Sequence, residues 1–447
     1  MIKSIDLRTE PIFALILKMS WPSIIAMIAM SVYNLIDTFW LARLSSQSLA
    51  ALTICFPIQL IFAAIGVGTG VGAGSFSARM FGSGRILQAK QTAGQIFFLS
   101  IFFGVVIISC VLFLHDTILV TFGASQDILP LCRDYLIIIV FSSPFLFFTM
   151  MSNSLLRVEG RPLLSMYVVL ISSIVSAILD PLLIFGIGPF PHLGLKGAAL
   201  AAVVAQFIAC LFSIYFMQLK SSKYELKWKY LSPDISIINS IYATGFPSII
   251  INLIVSFLLI IYNHVLSQFG SLTIAALGIF FRVNALVTMV LFGIGFGLMP
   301  IVGFSDGARL YQRLRQSVLV ALKVASIFAT VSSIFLFIFA DTIVAYFTKD
   351  PELLAIAIPA LRINIVALVF TAPTIIFINM FMGLGKGNLA MFLLFFRDVI
   401  ILVPLLIVLS SWKGLAGAWF ALPIANFIAF FVILFWAKKE LRRFGNK

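Results

Sequence analysis

Residues Trp21–Ala51 read WPSIIAMIAMSVYNLIDTFWLARLSSQSLAA, and this stretch gives the first indication of the fold. Its apolar run is long enough to cross a bilayer as a helix, which takes about 20 residues. The run carries Pro22 at its start and an acid, Asp37, toward its far end. Acidic side chains inside membrane spans are costly and rare, and they mark functional sites. The stretch therefore predicts a spanning helix with a functional carboxyl group.

The composition of the whole chain extends this prediction. Of its 447 residues, 62% are hydrophobic and 10% are charged, whereas soluble proteins carry about 25% charged residues. We therefore predict an all-α polytopic membrane protein with twelve transmembrane helices. The twelve apolar runs lie near residues 15–40, 50–78, 91–114, 131–153, 163–187, 195–218, 238–266, 273–300, 317–340, 356–381, 389–410 and 414–437. The N-terminal segment lacks a signal-peptide cleavage site, so we expect the first span to remain in the protein.

Most of the 30 Lys and Arg residues fall on one set of alternate loops and in the two terminal segments. The opposite loops hold only Arg43, Lys196, Lys349 and Lys413, with Arg133 near the start of a span. The positive-inside rule then places both termini in the cytoplasm, and we expect a plasma (inner) membrane protein. The net charge of +14 follows from this topology and suits anionic lipid, so it gives no reason to invoke nucleic acid.

The chain shows no sequence motif for catalysis or for a cofactor. Cys55, Cys110, Cys132 and Cys210 are far apart in or beside apolar spans, which is typical of small core side chains and not of a metal site or disulfide framework. A phosphate-binding P-loop is missing, which argues against ATP as the energy source. We therefore expect neither an enzyme nor a resident cofactor or metal.

The two halves of the chain repeat each other with a separation of 225 residues. Trp21–Ile25 (WPSII) aligns with Phe246–Ile250 (FPSII), and Leu49–Leu52 (LAAL) aligns with Ile274–Leu277 (IAAL). Six spans per half is an even number, so both halves have the same orientation, as in transporters built from parallel repeats around a central cavity. We predict an N-lobe of spans one to six, a cytoplasmic linker and a C-lobe of spans seven to twelve, over residues 1–218, 219–236 and 237–447.

The repeat separates features that serve architecture from features that serve coupling. At the separation of 225 residues, Asp37 is replaced by Tyr262. In the fifth span the register shifts by two residues, so that PLLI at Pro181 aligns with PLLI at Pro404, and Asp180 is replaced by Val403. Both acids thus belong to the N-terminal half alone. Features needed for the fold should recur in both halves, so these two carboxyl groups are the candidates for a functional role.

The two acids are expected to lie at one depth in the membrane. Asp37 is 19 residues beyond Lys18, and Asp180 is 19 residues beyond Arg161, which at about 1.5 Å per residue puts both roughly 28 Å from the cytoplasmic side. Two carboxyl groups that face each other cannot easily both ionise, so the pair would load and release a proton. Their oxygens would also suit Na⁺.

Polar neighbours lie on the same helix faces as the two acids. Tyr33 and Asn34 precede Asp37 by four and three residues, and helical spacing puts them on its face. On the second helix, Ser173 and Ser176 precede the acid by seven and four residues. These side chains can hydrogen-bond either protonation state. The alternative is that both acids are simply solvated at the outer membrane interface.

A second polar cluster is predicted in the C-lobe. Arg282 and Asp398 both fall near the middle of the membrane, about 15 and 18 Å from their respective ends of the spans. An ion pair between them would reduce the cost of burying each charge. Arg397 also belongs to the cluster. A structural ion pair and a contact to substrate remain open as its role.

Three segments carry a resemblance to a known family. These are WPSIIAMIAMSVYNLIDTFWLARLSSQSLAAL, GVGTGVGAGSFSARMFGSGR and LRVEGRPLLSMYVVLISSIVSAILDPLLIFG, which begin at Trp21, Gly66 and Leu156. Their order and spacing, with six spans in each half, resemble the multidrug and toxic compound extrusion (MATE) family. The acid pair resembles that of its DinF-like branch.

The resemblance implies export of amphipathic, often cationic compounds, driven by inward H⁺ or Na⁺. It also implies that Asp37 and Asp180 form the cation site with Tyr33 nearby, and that span one bends near Pro22 on protonation. The sequence departs from the family pattern at Ser176, where the family commonly has Asn.

A second departure concerns the C-lobe. NorM-like members have acids in spans seven and ten, where this chain has only Asn252, Asn263, Asn364 and Asn379. A C-lobe Na⁺ site of that kind is therefore not expected.

We therefore predict a secondary antiporter that works as a monomer in the lipid bilayer on small amphipathic substrates. The alternative is a flippase for lipids or lipid-linked saccharides of the same superfamily, although its related members have extra spans. A channel or a membrane-embedded enzyme fits less well because neither a selectivity filter nor a catalytic signature is present in the sequence.

Overall fold

A computed structural model of the chain describes residues 4–220, 222–224 and 228–445, so residues 221 and 225–227 of the predicted linker lie outside the described part. Every regular element in the described part is helical. The α-helices are α1 (Ile12–Leu44), α2 (Ser46–Gly82), α3 (Ile86–Thr121), α4 (Leu129–Ile139), α5 (Ser143–Val158), α6 (Pro162–Phe185), α7 (Leu195–Met217), α8 (Ile235–Ser267), α9 (Ser271–Gly307), α10 (Tyr311–Ile338), α11 (Ala340–Phe347), α12 (Pro351–Ile365), α13 (Leu368–Gly383), α14 (Gly387–Phe395) and α15 (Val403–Gly445). Short 3₁₀ turns at Val140–Ser142 and Trp228–Tyr230 and a π-helix at Phe396–Leu402 complete the set.

The helices account for the twelve predicted spans. In the described part, ten helical stretches are long and apolar enough to cross a membrane, and the pair α12 and α13, bent by 47°, makes an eleventh. The longest stretch, Gly387–Phe444, has 58 residues, or about 87 Å of helix against a hydrocarbon core of about 30 Å. Gly414 interrupts it with φ 60° and ψ −144°, a conformation that glycine adopts because it has no Cβ. The stretch therefore holds two spans, which brings the number to the predicted twelve.

Helix lengths and ion pairs repeat between the two halves. Both α1 and α8 have 33 residues, and both α2 and α9 have 37. An Asp–Arg ion pair recurs as well: Arg133 Nη2 lies 2.5 Å from Asp116 Oδ2, and Arg362 Nη2 lies 2.6 Å from Asp341 Oδ2. The two aspartates are separated by the 225 residues of the sequence repeat. The repeat therefore extends from the sequence to tertiary contacts.

The chain divides into two compact units, and the division crosses two helices. One unit holds the segment that ends at Asp6 and residues Ile25–Ile249, and the other holds Leu7–Ile24 and Ile250–Lys447. The beginning of α1 thus packs with the second unit and the beginning of α8 with the first, whereas the sequence predicts lobes that end and begin at the linker. In both helices the division follows two residues after a proline, Pro22 or Pro247. Proline removes a backbone hydrogen bond, so it is where a helix bends most readily.

Glycines explain why the first unit includes the beginning of α8. A Cβ on Gly72 of α2 would overlap the backbone carbonyl oxygen of Ile241, and one on Gly68 would overlap the side chain of Ile249. The two backbones approach this closely only because the α2 positions lack side chains. The glycine face of α2 is therefore the docking surface for the first half of α8.

The second unit uses the same arrangement with α9 and the beginning of α1. A Cβ on Gly293 would overlap the side chain of Ile24, and one on Gly297 would lie 2.7 Å from Ser20 Oγ. These glycines are the repeat counterparts of Gly68 and Gly72. Each unit thus receives a proline-containing half-helix on a glycine face.

The linker is attached to the first unit through two buried polar side chains. Glu159, just after α5, accepts hydrogen bonds from the Lys223 backbone N–H and, at 3.2 Å, from the Ser222 hydroxyl. Gln95 of α3 donates to the Ser232 carbonyl and accepts from the Asp234 N–H, both at 2.9 Å. Burial raises the pKa of the Glu159 carboxyl above its ordinary value. The linker is therefore an ordered part of this unit wherever it is described.

Candidate functional site

The structure brings Asp37 of α1 and Asp180 of α6 together in the first unit. Asp180 is completely buried, with 0% of its surface exposed, and Asp37 is half-buried. The two carboxyl groups are close enough to interact electrostatically. Asp180 immediately precedes Pro181, which lies inside α6. Two acids that are 143 positions apart in the sequence therefore form one site.

Tyr33 and Ser176 complete the contact between the two helices. The Tyr33 hydroxyl lies near the Ser176 side chain, and Tyr33 interacts electrostatically with both carboxyl groups. Each residue is one helical turn before the acid on its own helix, which is the spacing that puts two side chains on one face. Serine at this position therefore still links the two helices.

Two further polar residues of the site come from other helices. Gln59 Nε2 of α2 donates a hydrogen bond to the Tyr135 hydroxyl of α4 at 2.9 Å. Tyr135 also interacts electrostatically with Asp37 and Asp180. Sequence reasoning missed both residues, because neither lies on the helix of Asp37 or on that of Asp180. A polar pair inside two predicted spans was the only signal available.

Two predicted supporting residues are not joined to the acids. Asn34 is exposed, and its backbone carbonyl accepts a hydrogen bond from Thr38 Oγ1 at 2.8 Å. Ser173 is half-buried, one turn farther from Asp180 than Ser176. Within the described part of the chain neither side chain bonds to a carboxyl group. Pro22, the predicted bend, lies in the part of α1 that belongs to the second unit.

Asp180 has unmet hydrogen-bonding capacity. Both of its side-chain oxygens are buried without a hydrogen-bond partner in the described part of the chain. A buried carboxylate without partners is strongly unfavourable, so such a group takes up a proton or a cation. The candidate ligands for Na⁺ are carboxyl and hydroxyl oxygens of Asp37, Asp180 and Tyr33, the atom types that hard cations prefer. A group of three or more His, Cys, Asp or Glu side chains that could hold a metal does not occur in the described residues.

The predicted ion pair of the C-lobe has a different partner in the structure. Arg397 Nε lies 2.6 Å from Asp398 Oδ1, and Arg397 Nη2 lies 2.8 Å from Asp398 Oδ2. The expected Arg282–Asp398 pair is therefore wrong. Adjacent residues do not face each other on an α-helix, but these two lie in the π-helix, where the wider turn changes side-chain directions. Arg282 is exposed on α9 and forms no ion pair with any described residue.

Tyr262 joins this C-lobe cluster. Its side chain is 5% exposed, and its hydroxyl has no hydrogen-bond partner among the described residues. The ring packs edge-on against Phe281, with 6.3 Å between ring centroids. Tyr262 interacts electrostatically with Asp398 and with Arg397. The residue that replaces Asp37 in the repeat therefore also belongs to a polar centre.

Comparison with known proteins identifies relatives over the full length of the chain. The family model MatE matches residues 22–182 and again residues 247–408, so the two matches follow the internal repeat. The FAD transporter of Shewanella oneidensis is 28% identical over 443 residues, covering 94% of this chain and 93% of the relative. The multidrug export protein MepA of Staphylococcus haemolyticus is 27% identical over 428 residues, covering 95% and 93%.

A solved structure agrees with this relationship. It is an outward-facing conformation of a multidrug resistance MATE family transporter of the MOP superfamily, which superimposes with a TM-score of 0.93 and 26% identity. The alignment covers 100% of this chain and 99% of the solved one. The predicted family, the two-lobed helical fold and the transport class are confirmed, and so is the prediction that the chain is not an enzyme.

Proposed function

We propose that this chain, which belongs to the MatE family of membrane transporters, is a secondary antiporter that exports amphipathic, often cationic compounds in exchange for H⁺ or Na⁺. Transporters of this family need no cofactor, and an ion gradient is the energy source that we propose. The protein is an integral membrane transporter of small molecules. We also propose that it works as a monomer in the inner membrane with both termini in the cytoplasm, which is the orientation that the distribution of Lys and Arg predicts.

The observation that carries this proposal is the unmet hydrogen-bonding capacity of Asp180. Its two oxygens are buried without partners in the described part of the chain, next to the second carboxyl group of Asp37. Proton or Na⁺ uptake removes the cost of this arrangement, whereas a permanently ionised pair would keep it. An ion-coupled cycle requires a site that is stable only when it has bound H⁺ or Na⁺.

The helix that carries Asp37 connects the ion site to a larger movement. Asp37 and Tyr33 lie in the part of α1 that belongs to the first unit, and Pro22 lies in the part that belongs to the second. Ion uptake at Asp37 and Asp180 changes the contacts of α1 with α6, and Pro22 gives α1 a point at which to bend. We propose that this bend accompanies release of substrate, and that rocking of the two lobes resets the cycle.

The substrate class follows from the relatives only in part. One relative is a multidrug export protein and another is an FAD transporter, so similar chains are named for different substrates. The composition of this chain, with 14% aromatic residues and 14 methionines, suits adaptable apolar contacts to varied amphipathic molecules.

The test is export from vesicles under separate ion gradients. The purified protein is reconstituted, and efflux of a fluorescent amphipathic cation is followed with an imposed pH gradient or an imposed Na⁺ gradient. We expect one gradient to drive export and Asp37→Asn to abolish it while the protein remains folded. Asp127→Asn, at an exposed loop position of the same unit, is the matched control and should export normally.

Export by Asp37→Asn at the rate of the unaltered protein would overturn the assignment of the acid pair. Translocation of lipid or a lipid-linked saccharide with no dependence on either gradient would instead favour the alternative flippase function. The two outcomes are separated by measuring dye export and lipid translocation in the same vesicle preparation.

A further inference from the structure

The C-lobe contains a polar centre that the ion-coupling proposal does not use. It consists of Tyr262 on α8 together with Arg397 and Asp398 on the π-helix, and we call it the C-lobe centre. Tyr262 is buried, and it interacts electrostatically with the other two residues. π-Helical turns inside α-helices occur frequently at functional sites. The centre therefore has both the burial and the backbone irregularity of a binding site.

The C-lobe centre has more hydrogen-bond donors than acceptors. Arg397 has five N–H groups, of which one on Nε and one on Nη2 bind Asp398. The bidentate pair uses both carboxylate oxygens, and the Tyr262 hydroxyl has no partner in the described part of the chain. Three arginine N–H groups and one hydroxyl thus remain for an external acceptor.

The centre is accessible to a ligand on the arginine side. The Arg397 side chain is 18% exposed, whereas that of Asp398 is 4% exposed. The N–H groups that are not bound to Asp398 therefore belong to Arg397, the more exposed residue of the ion pair, whereas the Asp398 carboxylate is buried. A ligand approaching this centre meets a guanidinium group before it meets the acid.

We propose that the C-lobe centre binds an anionic group of the substrate, a carboxylate or a phosphate, through Arg397 and the Tyr262 hydroxyl. The inference rests on the proposed export function and extends its substrate class to acidic and zwitterionic amphipathic compounds. Asp398 holds the arginine in place and neutralises it when no substrate is bound. An incoming anion shares the guanidinium group with Asp398, since its planar fork can bind two carboxylates at once.

The experiment compares two forms of one dye that differ in charge and by one ethyl group. The full-length protein in detergent is titrated with a xanthene dye that carries a free carboxylate and with the ethyl ester of the same dye. Binding is followed at equilibrium by fluorescence polarisation. The variants are Tyr262→Phe, which removes only a hydroxyl, and Asp398→Asn, which removes the competing charge. Tyr346→Phe, at a fully exposed C-lobe tyrosine, is the matched control.

We expect the two variants to change the ratio of the two dissociation constants in opposite directions. Tyr262→Phe should weaken binding of the free acid about tenfold, because a hydrogen bond to a charged group is lost. Asp398→Asn should strengthen binding of the free acid severalfold, because Arg397 is released. The ester should bind all variants within about twofold of the unaltered protein, which also shows that they are folded.

The proposal is overturned if the ratio of acid to ester binding is the same in both variants and the control, or if both forms weaken together. Because binding is measured without a gradient, the result does not depend on ion coupling. If neither gradient drives export by the unaltered protein in the vesicle experiment, the antiport mechanism is contradicted, but the binding result still stands.

Discussion

The two lobes place opposite chemistry on one repeated scaffold. In the N-terminal half, Asp180 is a buried acceptor that meets no donor among the described residues, next to a second acid. In the C-terminal half, Tyr262 and Arg397 have more N–H and O–H donors than the described part of the chain has acceptors for them. Each polar centre joins the first helix of its repeat, α1 or α8, to the helix that corresponds to the fifth span. The fold therefore presents two equivalent positions, and their side chains suit them to ligands of opposite charge.

The contrast between the two halves distinguishes features of the shared scaffold from features with a chemical role. Pro22 and Pro247, the glycine faces of α2 and α9 and the Asp–Arg ion pairs occur in both halves and support the same contacts in each. The acids at Asp37 and Asp180 occur in one half only. A repeated feature is explained by packing, whereas a feature present once needs a chemical reason.

The largest effect is expected from Asp180→Asn. Asparagine has nearly the same shape but cannot exchange a proton or supply a carboxylate for Na⁺, so gradient-driven export should fall to the background of empty vesicles. Asp398→Asn should alter which dye is preferred and retain the response to the gradient. Initial efflux rates of both variants under the same imposed gradient measure this contrast.

The view that only the N-lobe acids couple transport to the ion gradient is contradicted if Asp398→Asn loses its gradient response as completely as Asp180→Asn does. In that case coupling would involve both polar centres. Thermal unfolding in detergent is the accompanying check, because a variant that unfolds early gives no information on coupling.

The next largest effect concerns stability and is expected from Arg397→Leu. This change leaves Asp398, with 4% of its side chain exposed, as a buried charge without its partner, which costs about 3–5 kcal/mol. The double change Arg397→Leu with Asp398→Asn should restore most of the loss, because no buried charge remains. Unfolding by denaturant in a fixed detergent measures the free energies of unfolding.

The matched control is Arg362→Leu, which breaks the ion pair with Asp341. Their side chains are 39% and 60% exposed, so the loss should be about 0–1 kcal/mol. Equal losses from Arg397→Leu and Arg362→Leu would contradict the view that the C-lobe pair is buried against the protein interior.

The sequence predicts the spans and the repeat because bilayer thickness imposes a length on every apolar run and the repeated motifs are visible directly. It does not predict that the beginnings of α1 and α8 belong to the opposite units. A continuous apolar helix shows no sign of which bundle each half contacts, and the glycine faces on α2 and α9 decide this only through tertiary packing. The lobe boundaries at 1–218 and 237–447 therefore miss one half-helix on each side.

The polar residues of the two sites were also only partly predictable from the sequence. Helical spacing identifies Tyr33 and Ser176, which lie on the helices of the acids themselves. Tyr135 and Gln59 come from other helices, and no spacing rule connects them to Asp37. The pairing of Asp398 with its neighbour Arg397 depends on a π-turn, a local change of backbone that residue counting along an α-helix does not anticipate.

The smallest effects are expected at glycines, and they test whether the exchanged half-helices are held equally in both lobes. Gly72→Ala puts a methyl group against the Ile241 carbonyl of α8, and Gly297→Ala puts one 2.7 Å from Ser20 Oγ of α1. Overpacking of this kind costs about 1–3 kcal/mol. The loss should be greater for Gly72→Ala, because its methyl group would overlap a backbone oxygen, whereas the nearest backbone atom to the methyl group of Gly297→Ala is 2.9 Å away. Gly278→Ala is the control, since a Cβ there meets nothing within 4 Å, and helix propensity should stabilise that variant by up to about 1 kcal/mol. The free energies of unfolding of the three variants, measured in one detergent, test this explanation. If Gly278→Ala is destabilised as much as the other two, close packing of α1 and α8 on the glycine faces does not explain why these half-helices exchange units.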